Sequence, residues 1–171
     1  MTPATFRRVR EAAVNIAPPF DDDTERLLQS IIEREKWAVV DHESLDELAR
    51  GNLFSVLLFA GDAGRLAESN DVAVILPELV KTFDNLLVPL VVSRDSEREL
   101  QRRYRFNAFP TLVFLKEGGY LGAIPRVLDW QDYVHEIAAI LTREASDPPP
   151  FEFPEGCGAP KPDSVNNWQL H

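Results

Sequence analysis

Cys157 carries the most reactive side chain in this 171-residue sequence, and it is the sequence's single cysteine. A thiolate is a nucleophile, but dithiol exchange needs a second thiol that resolves the mixed disulfide. One cysteine therefore excludes a dithiol oxidoreductase and any intrachain disulfide. A redox reaction through Cys157 alone stays open as an alternative function, although a bystander thiol is the plainer interpretation of this glycine-flanked residue.

Three acidic side chains follow an apolar stretch in the middle of the sequence, where a loop rich in Gly, Asp and Ser is predicted. They are Asp62, Glu68 and Asp71. A carboxylate on such a loop can accept a bidentate hydrogen bond from an arginine of a partner. Exposed acids without a partner are an equally good interpretation, and Asp71 could also be the N-cap of a helix that begins at Val72.

The histidines and the remaining acidic run do not predict a metal site. His42, His135 and His171 lack ligand spacing with one another or with the cysteine. The three aspartates at 21–23 lack the spacing and the glycine of a calcium loop, and they are interpreted as solvated acids before a helix. No glycine-rich phosphate loop is found. We therefore expect no cofactor, and we predict that the protein is not an enzyme.

The balance of charge limits the classes of partner. The sequence has 18 Lys+Arg against 28 Asp+Glu, a formal net charge of −10, and a pI of about 4.8. Binding to nucleic acid or to anionic membranes needs a basic surface, so both classes are disfavoured and a basic partner fits better. Hydrophobic residues make up 44% of the sequence, which is enough for a folded core.

The twin-arginine pair Arg7-Arg8 lies near the start of the sequence. Charged residues and prolines follow it within a few positions, so it is interpreted as a surface pair rather than as part of an export signal. The best apolar run, at 86–92, is far shorter than the ~18 residues of a membrane span. A cytoplasmic protein is therefore expected.

Hydrophobic periodicity divides the centre of the sequence into alternating helices and strands. Continuous apolar runs at 53–60 and 86–92 are typical of strands buried on both faces. The full order is helix 24–36, strand 37–40, a helix opened by the capping box Ser44-Leu45-Asp46-Glu47, strand 53–60, helix 72–83 containing Pro77, strand 86–92, helix 96–105, a hairpin of strands 111–115 and 120–124, and a last helix capped by Asp129. This order predicts an α/β fold with a mixed sheet and helices on both faces.

Both ends of the sequence differ from this core. A short helical stretch around 4–14 ends at a pair of prolines, and residues 1–23 are interpreted as an N-terminal extension. Residues 146–171 form a proline-rich tail, whose composition disfavours both helix and sheet. The folded domain is therefore expected over residues 24–145.

The order of elements, with Phe109-Pro110-Thr111 directly before the hairpin, resembles thioredoxin. In that family the proline at this place is cis and lies beside the active-site loop, so Pro110 is expected to be cis. The loop that carries the Cys-x-x-Cys motif in thioredoxin corresponds here to residues 59–65, which include no cysteine. The resemblance implies a thioredoxin-like fold with a cysteine-free active-site loop and without redox activity.

Further segments narrow the resemblance. The stretch 67–79, the turn Gly118-Gly119-Tyr120-Leu121-Gly122 and Trp130 are similar to the cysteine-free maturation chaperones of uptake NiFe hydrogenases, the HyaE, HupG and HoxO type. The similarity spans most of residues 25–143. It implies a non-catalytic cytoplasmic chaperone that binds the hydrogenase small-subunit precursor and its twin-arginine signal peptide before export. Other hydrogenase maturation proteins are further candidate partners.

The resemblance also implies a binding site. In thioredoxins the groove beside the cis proline holds an extended partner segment through the main chain of the residue before the proline, which is Phe109 here. Phe109 and Pro110 are therefore candidate peptide-binding residues, and Asp62, Glu68 and Asp71 are candidates for the rim of the groove. A structural thioredoxin-like interaction domain in an unrelated complex is a further alternative.

Overall fold

The computed structural model describes residues 23–62 and 67–150. Its elements are α1 (Asp23–Glu35), β1 (Ala38–Val40), α2 (Leu45–Arg50), β2 (Phe54–Phe59), α3 (Ala67–Thr82), β3 (Leu87–Val92), a 3-10 turn (Arg94–Ser96), α4 (Glu97–Tyr104), β4 (Thr111–Lys116), β5 (Gly119–Ile124) and α5 (Trp130–Leu141). This order confirms the alternation predicted from the sequence. The predictions for the stretch around 4–14, for Arg7-Arg8, for Cys157 and for His171 lie outside the described residues.

The five described strands form one mixed sheet in the order β1-β3-β2-β4-β5. β3 is parallel to β1 and β2, whereas β4 is antiparallel to β2 and β5. The central strand is β2, where Val56 lies opposite Pro89 of β3 and Phe114 of β4. The parallel and antiparallel parts of the sheet therefore meet at β2, and the loop that follows β2 leaves the sheet beside the start of β4.

The side chains of β2 alternate between two hydrophobic cores. Val56 and Leu58 pack with α1, α3 and α5 on one face of the sheet. Leu57 and Phe59 pack with α2 and α4 on the other face. Burial on both faces explains why the apolar run of β2 is continuous, and it confirms the predicted helices on both faces.

The helix α3 begins earlier than the sequence indicated. We predicted a start at Val72 with Asp71 as a candidate N-cap, whereas α3 includes both residues. The buried Ser69 hydroxyl donates a 2.6 Å hydrogen bond to the Ala60 carbonyl, which anchors the first turn of α3 on the end of β2. The N-cap interpretation of Asp71 is therefore wrong, because a tertiary contact extends the helix beyond its local signal.

The predicted capping box at the start of α2 is also wrong. Ser44 occupies the N-cap position of α2 but makes no side-chain cap hydrogen bond. Its hydroxyl donates to Asp41 Oδ1 at 2.9 Å, and the same carboxylate accepts the main-chain N–H groups of Ser44 and Glu43. These hydrogen bonds lower the pKa of Asp41, and the bond from the Ser44 main chain has the largest effect. The turn before α2 is therefore organised by Asp41. Asp129 occupies the predicted N-cap position of α5, again without a side-chain cap bond.

Residues 144–150, which we call the edge strap, contact the outer strand β5 through Ala145 and Ser146. The Ser146 N–H donates to the Tyr120 carbonyl at 2.9 Å. Beyond it, Arg105 Nη1 donates to the Pro148 carbonyl at 2.9 Å, which ties the strap to the end of α4. A Cβ on Gly119 would lie 2.6 Å from the Ala145 Cβ, so this glycine permits the close approach.

Candidate functional site

The peptide bond between Phe109 and Pro110 is cis, which confirms the expectation from the sequence. Pro110 is buried directly before β4, and Phe109 is partly buried. The Thr111 hydroxyl donates to the Ala108 carbonyl at 2.6 Å across this turn. Strand pairing of β4 begins at Thr111 with β2 and one residue later with β5. The main chain at Phe109 therefore precedes the paired part of β4.

A row of aromatic rings supports Phe109 from the core. Phe109 packs edge-on against Phe106, with ring centroids 5.5 Å apart. Phe106 packs in the same way on Phe59 at the end of β2, at 4.6 Å. Aromatic pairs in this arrangement are favourable beyond the area they bury. Phe109 is therefore held by the core on its inner side.

The loop after β2 packs directly on Phe109. Gly61 has a φ of +64°, and a Cβ at this residue would lie 2.9 Å from the Phe109 Cβ and 3.0 Å from its Cγ. A side chain at residue 61 would therefore both adopt a disfavoured backbone conformation and overlap Phe109. The corresponding loop of thioredoxin carries its reactive cysteines. The described loop residues of this protein, Gly61 and Asp62, carry no thiol.

The acidic side chain that bonds to this loop is Glu97, which the sequence analysis did not single out. It lies in the first turn of α4, it is 6% exposed, and its Oε1 accepts the Gly61 N–H at 2.9 Å. Burial raises the pKa of Glu97 to about 7; the Gly61 and Ala60 amides and the Arg94 charge act in the opposite direction. The signal available in the sequence was helical spacing, since Glu97, Leu100 and Tyr104 form the buried face of α4.

Asp62 belongs to this loop but is already paired. Its carboxylate forms an ion pair with Arg94 of the 3-10 turn, with Nη2 and Oδ2 3.3 Å apart. The Asp62 side chain retains 34% of its exposure. An exposed pair of this kind stabilises the fold by ~1 kcal/mol or less. A basic partner would therefore meet Asp62 together with Arg94.

The other two predicted rim residues lie on α3. Glu68 and Asp71 are both exposed, Glu68 in the first turn of the helix. Burial raises the pKa of the Tyr133 phenol on α5, and the charge of Asp71 adds to this increase. Asp71 thus lies on the side of α3 near α5, whereas Asp62 pairs with Arg94 in the 3-10 turn before α4. The three acids have different neighbours and do not form one cluster.

The described residues include no group of three or more histidines, cysteines or acidic residues arranged to hold a metal ion. His42 Nδ1 instead forms a 3.2 Å hydrogen bond with the Ser96 Oγ. The same nitrogen lies 3.7 Å from Oε2 of Glu99. In the described part of the chain, no helix is long and apolar enough to cross a membrane.

Comparison with known proteins assigns the chain to a family. Residues 27–133 match the family model described as "Hydrogenase-1 expression protein HyaE". The chain belongs to the HyaE family. The match extends from α1 into α5 and includes the loop after β2, Glu97 and the Phe109–Pro110 bond. The resemblance inferred from the sequence is thereby confirmed.

A relative found by sequence agrees with membership in the HyaE family. The hydrogenase expression/formation protein HoxO of Azotobacter vinelandii is 47% identical over 123 residues, which cover 72% of this chain and 82% of HoxO. The crystal structure of a putative hydrogenase expression/formation protein HupG from Rhodopseudomonas palustris is 36% identical and covers 60% of this chain and 93% of that chain, with a TM-score of 0.43. Membership in the HyaE family supports a role in hydrogenase maturation.

A more distant match concerns the fold alone. A chain from a structural study of thiol resolution in yeast mitochondrial 1-Cys peroxiredoxin via glutathione/thioredoxin systems is 16% identical, with a TM-score of 0.52. It covers 61% of this chain and 96% of that chain. Together with the strand order and the cis proline, this similarity agrees with the thioredoxin-like fold of the HyaE family member.

Proposed function

We propose that the protein is a non-catalytic cytoplasmic chaperone that binds the precursor of a hydrogenase small subunit, including its twin-arginine signal peptide, before export. The observation that carries this proposal is the packing of Gly61 on Phe109 beside the cis proline. At this place the fold presents a supported main-chain surface, and the described residues of the adjoining loop carry no thiol. Such a surface is suited to holding a peptide rather than to exchanging disulfides.

The main chain at Phe109 supports capture of an extended segment. Because the pairing of β4 starts at Thr111, the residue before the cis proline lies outside the sheet ladder. A partner strand that bonds to main chain takes affinity from the backbone and specificity from the side chains around it. The exposed part of Phe109, supported by Phe106, supplies an apolar contact for the hydrophobic part of a signal peptide.

Charge supports a basic partner. The net charge of −10 attracts a peptide that begins with arginines, over a screening length of about 8–10 Å at physiological salt. The exposed Glu68 and Asp71 on α3 add local negative charge after the loop. We expect this attraction to act mainly on the rate of association.

A pull-down tests the proposal directly. The purified full chain is mixed with a hydrogenase small-subunit precursor, with the same precursor lacking its signal peptide, and with an unrelated twin-arginine precursor. We expect strong recovery of the complete precursor and reduced recovery of the truncated form. A Cys157→Ser variant should bind equally well, because the proposed function uses no thiol. Absence of binding to both forms of the precursor would refute the proposal.

The acidic contribution has its own prediction. Glu68→Lys combined with Asp71→Lys should weaken binding about three- to tenfold at low salt and should flatten its salt dependence, because two favourable charge contacts are reversed. Glu47→Lys combined with Glu144→Lys changes the net charge equally at exposed sites on α2 and in the edge strap, and serves as the control. Asp62 is kept for a separate variant, since its reversal also breaks the ion pair with Arg94. Equal weakening by both double variants would remove the local role of the α3 acids.

A further inference from the structure

Glu97 is unusual among the acidic residues of α4. Glu99, two residues later, is exposed, whereas Glu97 is 6% exposed and lies on the helix face that carries Leu100 and Tyr104 into the core. Burying a carboxyl group in this way costs free energy unless its oxygens are hydrogen-bonded. The Glu97 carboxylate meets that requirement with the Gly61 amide, across 36 positions of sequence.

Gly61 links Glu97 to Phe109, because it contacts both residues. Its N–H bonds to Glu97, and its Cα side faces the Cβ and Cγ of Phe109 at a distance that leaves no room for a side chain. The carboxylate and the aromatic ring therefore hold this residue from two sides. Just upstream, the Ala60 carbonyl is held by the Ser69 hydroxyl.

We propose that Glu97 is a positioning residue: by holding the Gly61 amide, its carboxylate keeps the start of the loop seated on Phe109 and so shapes the surface that an extended basic peptide meets. The nature of the peptide rests on the proposed function, whereas the positioning of the loop does not. Nothing in the proposal requires Glu97 to contact the peptide.

The charge state of Glu97 regulates how firmly the loop is held. An amide binds an ionised carboxylate more strongly than a neutral carboxyl group, but the raised pKa of Glu97 means that burial beneath the loop disfavours the charge by more than this bond favours it. Among the described residues, the charged groups that face Glu97 are Arg94 of the 3-10 turn and Asp62 of the loop, and these two pair with each other. With a pKa of about 7, Glu97 loses its proton as the pH rises through neutrality. We therefore expect the loop to be held more firmly, and a basic peptide to bind more tightly, on the acidic side, where Glu97 is protonated.

The first test needs no peptide. In ¹H–¹⁵N spectra of the full chain, the amides of Gly61 and Phe109 should shift with pH with a midpoint near 7. This titration should vanish in Glu97→Gln and persist in Glu99→Gln, which removes the neighbouring exposed carboxylate from the same helix. A His42→Gln variant, which removes the imidazole bonded to Ser96, should leave the Gly61 titration unchanged. If the Gly61 amide titrates identically in Glu97→Gln and in the native protein, the proposal is wrong.

The second test measures binding of a synthetic twin-arginine signal peptide near pH 6 and near pH 8. The native protein should bind about three- to tenfold more tightly near pH 6 than near pH 8, because ionisation of the buried carboxyl group favours release of the loop. Glu97→Gln should lose this dependence while keeping its folded spectrum. An unchanged pH dependence in Glu97→Gln overturns the regulatory part. If no variant binds the peptide while the Gly61 titration depends on Glu97, the proposed function fails and the positioning role stands.

Discussion

Replacing Gly61 with alanine is expected to lower the free energy of unfolding by about 3 kcal/mol. Part of the loss comes from the backbone, because a non-glycine residue at a φ of +64° is disfavoured by ~1 kcal/mol or more. The larger part is steric, because the new Cβ would lie 2.9 Å from the Phe109 Cβ. Phe109 has little freedom to yield, since its ring packs against Phe106. Overpacking of this kind costs typically 1–3 kcal/mol.

The matched control is Gly51→Ala at the end of α2. Gly51 has a φ of −74°, and the nearest atom to an added Cβ is 3.5 Å away. Alanine there should be neutral or stabilise the protein by about 0.5 kcal/mol, because it reduces the entropy of the unfolded chain. Urea unfolding of the two variants beside the native protein provides the measurement. Equal stability of Gly61→Ala and Gly51→Ala would mean that the loop after β2 does not pack on Phe109 in solution.

The second large effect is a pH-dependent stability that depends on Glu97. Its pKa is raised from an ordinary 4.5 to about 7 by burial. Between these two values the unfolded chain has lost the proton while the folded chain still binds it. Stability from this group is therefore complete below about pH 4.5 and is lost as the pH rises through about 7. At about 1.4 kcal/mol for each pH unit between the two values, the loss amounts to about 3 kcal/mol at most.

Glu97→Gln should remove this decline, because the amide cannot ionise but retains an oxygen that accepts the Gly61 N–H. The native protein should lose free energy of unfolding between about pH 5 and pH 8, whereas Glu97→Gln should be nearly level and Glu99→Gln should follow the native protein. Asp41 and Asp46 do not interfere, because hydrogen bonds lower the pKa of each and their effect falls below about pH 4. A native curve as level as that of Glu97→Gln would contradict burial of Glu97 as a raised-pKa group.

The fold could be predicted from the sequence because its signals are local. Two continuous apolar runs indicated the central strands, and β2 and β3 are indeed flanked by strands on both sides. The Phe-Pro-Thr segment before the hairpin indicated the cis bond through its resemblance to thioredoxin. Hydrophobic periodicity and turn residues depend only on residues that are close together in the chain, so they can be recognised from the sequence alone.

The candidate site was only partly predictable, because its contacts join distant parts of the chain. Phe109 and Pro110 were found through the local motif, but their contact with Gly61 depends on folding. Glu97 looked like one acid among several in a charged helix, and its burial follows from the approach of the loop after β2. Asp71 and Ser44 were misread as caps because Ser69 and Asp41 make competing hydrogen bonds that propensity does not encode.

The edge strap has a consequence for a protein that is proposed to hold extended peptides. An exposed outer strand is a template on which any such peptide, or a second sheet, can add and start aggregation. Of the two outer strands, β1 is only three residues long, and β5 is contacted by the strap through Ser146. In the described part of the sheet, β1 therefore offers few main-chain groups, and the strap occupies the Tyr120 carbonyl of β5. Strand addition at these two described edges is therefore disfavoured, which limits self-association of the protein through its sheet.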